Sequence, residues 1–324
     1  MRAPTRMDFG GGWTDVPPYC KLEGGAVCSA AIGRYATARL TAPGSDAALS
    51  RRVPNPDSSS RRDGQLIGAA LRRTQLSEEV SAVLRSDFPV AAGLGGSSAA
   101  SAALLGALDT WRGVAIDRRG IAERGRQIEV EDLGIAGGRQ DHYAATYGGL
   151  LDLTFTDAVR VQRIAMPPAL RQALEERCVL VYTGESHVSG NTITAVLEGY
   201  RSGEKRVTFA LSRMRQLAQQ MVIALEREDV DALGSLVGEH WVHQRTLHPS
   251  IPTPRIDAIV ERVQRAGGLG AKATGASGGG CVLAIARTER GQDLRAALGE
   301  LGEIVSFTID EHGLTACEWN EETP

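Results

Sequence analysis

The segment formed by residues 89–105, PVAAGLGGSSAASAALL, constrains the fold of this 324-residue chain more than any other. Its glycines allow positive φ angles and a close approach of the backbone to a ligand. The alanine- and leucine-rich run that follows, to about Trp111, favours a helix. A glycine loop that opens a helix gathers free N–H groups at the positive end of the helix dipole. The segment therefore predicts an anion site, most typically for phosphate, at a helix start.

A purely structural interpretation of this segment stays open. Ser97 or Ser98 would also serve as the N-cap of a buried helix, and the glycines would then form a tight turn. The segment lacks the Gly-Lys-Ser/Thr ending of a P-loop and the glycine spacing of the dinucleotide-binding fingerprint. A phosphate site here would therefore belong to a different class.

The composition limits the partners that we expect. The chain is 42% hydrophobic and 23% charged, as in ordinary globular proteins, and its length fits two domains. Its formal net charge of −3 gives no support for binding to nucleic acid or to membranes. We find no apolar run of transmembrane length and no signal-peptide core. The five cysteines show no CxxC spacing and indicate reduced thiols of a cytoplasmic protein. The oligomeric state is not predicted.

Helical and strand-like patterns alternate along the chain, which predicts a mixed α/β or α+β protein. We expect strands at the N-terminus and at residues 26–40, 83–89, 150–155, 159–164, 178–182, 281–286, 304–308 and 314–318. We expect helices at residues 65–76, from the glycine loop to 111, and at 117–133, 205–227, 230–242, 255–266 and 291–301. We also expect a short helix that follows the turn at Gly137 and Gly138 and ends at Gly148 and Gly149. Residues 44–63 are expected to form a loop. Pro167 and Pro168 interrupt the pattern, so we place a domain boundary after residue 168.

Two further glycine-rich segments accompany the first. Residues 2–19 read RAPTRMDFGGGWTDVPPY, and residues 270–282 read GAKATGASGGGCV. A further segment, GGRQD at residues 137–141, lies between residues 89–105 and residues 270–282. This ordered set resembles the motifs of the GHMP kinase superfamily. The segment around Gly93 resembles its ATP loop, PxxxGLGSSA, with one extra glycine, and Ser277 stands where the third motif more usually has glycine.

The resemblance covers nearly the whole chain, from Arg2 to Val282, and implies a fold. We expect an α+β, two-domain GHMP kinase fold. Its N-terminal, ATP-binding domain (1–168) would be related to the second domain of ribosomal protein S5, and its C-terminal domain (169–324) would be ferredoxin-like. ATP would bind in the cleft between them.

The first motif narrows the expected activity. Galactokinase-like members carry a Glu-His pair where this chain has Gly12 and Trp13, which argues against galactose. GGWTDVPP and GGRQDHYAA resemble fucokinases and D-glycero-D-manno-heptose 7-phosphate kinases, which phosphorylate an anomeric hydroxyl. The resemblance thus implies an ATP-dependent sugar 1-kinase acting on heptose 7-phosphate or on an unphosphorylated sugar such as L-fucose. A non-catalytic sensor of ATP or sugar is the alternative from another class.

The resemblance also implies roles for ATP-binding and metal-binding residues. The ATP phosphates would be wrapped by Gly93, Leu94, Gly95, Gly96, Ser97 and Ser98. Ser98 Oγ and Glu129 would hold Mg²⁺. Helical spacing does not settle the carboxylate, because Ile121, Gly125 and Ile128 mark a face whose centre lies closer to Asp132. Glu131 and Asp132 therefore stay open as ligands.

Asp141 is the predicted catalytic residue, because a carboxylate can take the proton of the attacking hydroxyl. Arg6, by resemblance, would lie beside it, keep it ionised and favour the developing phosphoryl charge. The structural alternative makes Asp141 a helix N-cap.

The predicted sugar-binding residues are Gly11, Gly12, Trp13, Asp15 and Gly138. Trp13 is equally explained as a core residue. A distal substrate phosphate would need a cation such as Arg34, Arg39 or Arg139. His240, His243 and His248 lack zinc-like partners, so we expect structural roles for them. We find no GxSxG elbow of a serine hydrolase.

Overall fold

The computed structural model describes residues 1–42, 58–76, 80–185 and 190–319. The first half of the chain forms a five-stranded antiparallel sheet in the order β1-β2-β4-β5, with β3 also paired to β2. Its strands are β1 (Arg2–Gly10), β2 (Gly25–Thr41), β3 (Ser81–Ser86), β4 (Leu150–Phe155) and β5 (Val159–Ile164). The 17-residue β2 organises this sheet, because it pairs with β1, with β4 near its start and with β3 near its end.

The second half forms a four-stranded antiparallel sheet in the order β7-β8-β6-β9. Its strands are β6 (Cys178–Tyr182), β7 (Gly270–Ala273), β8 (Cys281–Ile285) and β9 (Glu303–Val305). β8 is buried at every position, as its continuous apolar sequence predicts.

Helices cover both sheets. They are α1 (Tyr19–Leu22), α2 (Ser58–Thr74), α3 (Gly96–Trp111), α4 (Arg118–Gln127), α5 (Gln140–Tyr147), α6 (Pro168–Arg177), α7 (Gly190–Arg201), α8 (Lys205–Glu226), α9 (Val230–Gln244), α10 (Pro254–Arg265) and α11 (Gly291–Gly299). A π-helical turn, Ile128–Asp132, follows α4. α3 is buried continuously from Ser98 to Asp109, and its alanines and glycine permit this close packing.

One hydrophobic cluster joins the two halves of the chain. It contains Met7 and Ile32 of the first sheet, Leu180 and Leu283 of the second, and Met221 of α8. Because all of these side chains are fully buried, the two sheets share a core. This packing brings the end of β1 into contact with β7 and the loop before α3 into contact with Thr274, the residue after β7.

The predicted α+β class is confirmed, and most predicted elements are present. The strand expected at residues 314–318 is wrong: only an isolated bridge joins Thr315 to Arg2 there. The loop expected at residues 44–63 lies mostly outside the described residues, and the chain is already helical from Ser58. The strand β7 and the helices α1, α6 and α7 were not predicted. No helix in the described ranges is long and apolar enough to cross a membrane.

Candidate active site

The glycine loop before α3 lies at a helix start and is partly exposed to solvent, since Gly93, Gly95 and Gly96 are half-buried. Gly95, not Ser97 or Ser98, is the N-cap residue, with φ +75°, and Gly93 has φ +71°. The helix therefore has no side-chain cap, and its first N–H groups stay free for a ligand. Ser97 is exposed, whereas Leu94 and Ser98 are buried. The serine-capped interpretation of this segment is therefore wrong.

Arg6 of β1 connects this loop to Asp141 in the first turn of α5. Its Nε donates to Asp141 Oδ1 at 2.8 Å, and its Nη1 donates to the carbonyl of Gly93 at 2.6 Å. The Asp141 side chain is 28% exposed, whereas that of Arg6 is 3% exposed. A Cβ atom added to Gly95 would lie 3.1 Å from Asp141 Cγ, so the carboxylate lies directly against the loop.

The surroundings of Asp141 raise its pKa above the ordinary value of an aspartate. Burial is the main cause, the charge of Arg6 acts against it, and Glu129 adds to the rise. Arg6 therefore limits the rise in pKa rather than holding the pKa below its usual range. A carboxylate with a raised pKa is a stronger base, which suits proton transfer.

Asp15 holds the start of α5. Its Oδ2 accepts hydrogen bonds from the backbone N–H of Arg139 at 2.7 Å and of Gln140 at 2.9 Å. A Cβ at Gly138 would lie 1.8 Å from this same oxygen, which explains the glycine. Burial raises the pKa of Asp15 to about 6, and the N–H donors act against that rise. Asp15 thereby positions Asp141, and its predicted contact with a sugar stays a prediction.

The first glycine loop is fixed by a histidine of the second half. Gly11 N–H donates to His240 Nε2 at 2.9 Å, and burial lowers the pKa of His240 well below its ordinary value. His240 is therefore a neutral acceptor, which confirms its predicted structural role. Trp13 has φ +79° and packs in a core cluster with Met214, so its ring is 7% exposed. Gly12 borders Asp8 and Gln140.

Ser98 and Glu129 meet at the imidazole of His142. His142 Nε2 lies 3.3 Å from Ser98 Oγ and 2.9 Å from Glu129 Oε2. The π-helical turn, in which Leu133 N–H bonds to the carbonyl of Ile128, changes the helical register here. Regular helical spacing therefore gives wrong positions for Glu131 and Asp132, the two carboxylates that were open as ligands beside Glu129. Both are paired with Arg73 of α2.

The side chains of Ser98 and Glu129 fit Mg²⁺ as ligands. A hydroxyl and a carboxylate are hard oxygen ligands, and Mg²⁺ in kinases is held by few protein groups plus phosphate and water. Within the described ranges there is no group of three or more His, Cys, Asp or Glu side chains suited to a metal. The protein would therefore supply a small part of the coordination.

The third glycine loop closes against the ATP loop from the second sheet. A Cβ at Gly93 would lie 2.7 Å from the carbonyl of Thr274, and one at Gly275 would lie 3.0 Å from the carbonyl of Gly93. Ser277 has φ +74°, which explains why glycine is more usual there, and its hydroxyl donates to Ile251.

A buried ion pair beside the site was not predicted. Lys272 Nζ of β7 donates to Asp8 Oδ2 at 2.5 Å and to the Asp8 carbonyl at 3.0 Å. Both side chains are almost completely buried. The charge of Asp8 also acts on Arg6, so positive and negative groups alternate from Lys272 to Asp141. The only indication of this ion pair in the sequence is that Asp8 and Lys272 each lie within a glycine-rich motif.

Two of the arginines considered for a distal phosphate contact other groups. Arg34 donates to the carbonyl of Ser306, and the guanidinium of Arg39 lies over the ring of Trp319. Arg139 directly precedes α5 and adjoins Asp15.

Comparisons with known proteins identify the family of the chain. Residues 65–149 match the GHMP kinases N terminal domain, and residues 221–304 match the GHMP kinases C terminal domain. The D-glycero-alpha-D-manno-heptose 7-phosphate kinase of Campylobacter jejuni is 27% identical over 97% of each chain. The L-fucokinase/L-fucose-1-P guanylyltransferase of Bacteroides fragilis is 25% identical over 88% of this chain and 34% of its own length. A crystal structure of a D-glycero-D-manno-heptose 1-phosphate kinase from Bacteroides thetaiotaomicron has a TM-score of 0.74, with 24% identity over 96% of each chain.

The chain belongs to the GHMP kinase superfamily and has its two-domain fold, as the motifs predicted. It is therefore a kinase, a phosphotransferase, and ATP is the phosphate donor that the family implies.

Proposed function

We propose that the protein transfers the γ-phosphate of ATP to the anomeric hydroxyl of D-glycero-D-manno-heptose 7-phosphate. The observation that carries this proposal is the Asp141 carboxylate, which Arg6 holds against the glycine loop at the start of α3. The similarity to a heptose 7-phosphate kinase along nearly the whole chain supports this acceptor.

The loop residues bind the triphosphate. The free N–H groups from Gly95 to Ser98 point along the start of α3, where the helix dipole also favours an anion. Ser98 and Glu129 would hold Mg²⁺, which neutralises phosphate charge when bound. The proposed boundary of the two domains stays at residue 168, between β5 and β6.

Asp141 and Arg6 act at the reacting hydroxyl. Asp141 accepts the hydroxyl proton as the sugar oxygen attacks the γ-phosphorus, and its raised pKa favours this transfer. Arg6 orients the carboxylate through Nε and stabilises the negative charge that develops on the phosphoryl group. Asp15, Gly138 and the loop of Gly11, Gly12 and Trp13 would surround the sugar.

The second candidate acceptor is an unphosphorylated sugar such as L-fucose, which the similarity to the Bacteroides fragilis protein favours. An ADP-release assay with heptose 7-phosphate, L-fucose, galactose and mevalonate distinguishes the two. We expect turnover with heptose 7-phosphate and phosphate on its anomeric oxygen. Turnover with fucose alone would replace the acceptor. Tight ATP binding without turnover of any substrate would indicate a sensor instead of a kinase.

A further inference from the structure

One imidazole joins three elements at the proposed metal ligands. His142 lies in the first turn of α5, Ser98 in the first turn of α3 and Glu129 in the π-helical turn. His142 Nε2 lies 2.9 Å from Glu129 Oε2 and 3.3 Å from Ser98 Oγ. The side chain of His142 is 2% exposed and that of Glu129 is 17% exposed, so water competes little for this contact. A single ring nitrogen thus contacts both oxygen groups.

The direction of the hydrogen bond follows from the role of Glu129. A carboxylate that binds Mg²⁺ is ionised and can only accept hydrogen bonds, so the proton of the neutral imidazole must lie on Nε2 of His142. Ser98 Oγ is then the more distant acceptor of the same N–H. This arrangement leaves the other carboxylate oxygen of Glu129, Oε1, for the ion.

Across the residues that the structure describes, the Glu129 carboxylate has one hydrogen-bond partner, His142. The neighbouring carboxylates of the π-helical turn, Glu131 and Asp132, are held by Arg73 instead. A glutamate side chain has several free rotamers, and fixing it at the moment when a metal binds costs entropy. A hydrogen bond to a buried ring reduces that cost because it fixes the carboxylate beforehand.

The other side of the imidazole is fixed by packing against α4. A Cβ atom added to Gly125 would lie 2.9 Å from His142 Nδ1 and 2.9 Å from Ser101 Oγ, so the ring lies directly on the backbone of α4. Gly125 lies within the helix and does not have a positive φ, so its conformation does not require glycine. The space that the imidazole occupies does require it.

We infer that His142 is a positioning residue that holds Glu129 and Ser98 in the arrangement that binds Mg²⁺. This inference rests on the proposed function, which supplies the two ligands, and goes beyond it by assigning a role to His142. Hydrogen-bond partners that orient metal ligands typically contribute about 10- to 100-fold to metal affinity. His142 directly follows Asp141, so one turn of α5 carries both the proposed base and the residue that orients the metal ligands.

The test measures how much Mg²⁺ strengthens the binding of AMP-PNP, a non-hydrolysable analogue of ATP. Calorimetry gives its Kd in EDTA and in excess Mg²⁺, and the ratio of the two Kd values is the gain due to the metal. We expect His142→Leu to lower this gain by about 10- to 100-fold, because leucine has no donor. Its Kd in EDTA should change by no more than about twofold, since the loop N–H groups remain. His142→Gln should keep most of the gain, because the amide can donate to Glu129.

A second variant displaces the ring without removing it. Gly125→Ala adds a methyl group against His142 Nδ1 and should also lower the gain due to Mg²⁺. Its matched control is Gly64→Ala in α2, where the added Cβ would have nothing within 4 Å. His312→Leu, at an exposed histidine, is the control for the loss of an imidazole. Both controls should keep the gain of the wild type.

Several outcomes would overturn the inference. One is a wild type without any gain from Mg²⁺, and another is a full wild-type gain in His142→Leu. Equal losses in His142→Leu and His142→Gln would mean that the ring acts through packing and not through its N–H. A Kd that rises as much in EDTA as in Mg²⁺ would mean that His142 only supports the fold.

Failure of this inference differs from failure of the proposed function, because the binding measurement needs no sugar. A wild type that phosphorylates no sugar, but whose gain from Mg²⁺ is lost in His142→Leu and kept in His142→Gln, keeps the positioning role and loses the proposed function. A wild type that phosphorylates the heptose, and whose gain from Mg²⁺ is unchanged in His142→Leu, keeps the proposed function and loses the positioning role.

Discussion

Arg6 donates to the ATP loop and to Asp141 at the same time, so one residue sets the distance between the phosphate site and the proposed base. This arrangement depends on side-chain type more than on backbone conformation. A lysine at this position would lose the planar fork that reaches both acceptors.

At this scale we predict that Asp141→Asn lowers kcat by about 10²- to 10⁴-fold, because the amide cannot accept the hydroxyl proton. ATP affinity should change by no more than about twofold, since the loop N–H groups remain. Steady-state kinetics and calorimetry with ATP measure the two effects. Asp293→Asn, at an exposed aspartate of α11, is the control. An unchanged kcat in Asp141→Asn would remove Asp141 from the mechanism.

Asp15 gives a pH-dependent prediction. Its folded pKa of about 6 exceeds the ordinary 3.8, so between these pH values the folded protein binds a proton that the unfolded chain has lost. Stability from this group is therefore fully present below about pH 4 and is lost as pH rises to about 6. Relative to Asp15→Asn, the wild type should lose up to about 3 kcal/mol of unfolding free energy from pH 4 to pH 7. Urea denaturation across this range measures the loss, and a wild type that gains stability relative to Asp15→Asn as pH rises would contradict the pKa.

The sequence predicted that Arg6 lies beside Asp141, although the two are 135 positions apart, because both belong to motifs of the family that the chain resembles. Ser98 and Glu129 were selected in the same way. The sequence did not predict the ion pair of Lys272 and Asp8, whose partners are 264 positions apart. Contacts at such separation arise from the packing of the two sheets, and no local pattern encodes that packing.

At the scale of elements, irregular segments carry the site. α3 begins at a left-handed glycine, and the π-helical turn presents Glu129 to His142. α6 was not predicted because its start, at Pro168 after Pro167, was interpreted as an interruption, although proline is common at the first helical position. The strand expected at residues 314–318 does not form, because this segment makes a single bridge, to a residue of β1.

The two glycines that flank α3 allow a matched test of its start. Gly95 and Gly113 have φ of +75° and +68°, but a Cβ at Gly113 would contact nothing within 4 Å. Alanine at either position should lower the unfolding free energy by about 1 kcal/mol through backbone strain. Only Gly95→Ala should also lower kcat, by about 10- to 100-fold, because its Cβ would press on Asp141. Equal activity of both variants would show that the fit between the loop and Asp141 is not critical.

At the scale of the whole molecule, the two sheets are joined by a shared core and by the ion pair of Lys272 and Asp8. The apolar part was predictable in kind, since long apolar patterns in both halves must be buried together. The ion pair of Lys272 and Asp8 lies between Arg6 and β7. The active site needs ionised groups in this buried environment.

This ion pair yields the last prediction. Lys272→Met leaves the Asp8 carboxylate buried without its partner, which should cost about 3 to 5 kcal/mol of unfolding free energy. Asp8→Asn combined with Lys272→Met removes both charges and should regain about 2 kcal/mol or more of that loss. Denaturant unfolding of the single and double variants measures the coupling. Lys205→Met, at an exposed lysine of α8, should change stability by less than about 0.5 kcal/mol. If the losses of unfolding free energy in the two single variants simply add in the double variant, the ion pair does not hold the two sheets together. The series of alternating charges that reaches Arg6 would then begin at Asp8.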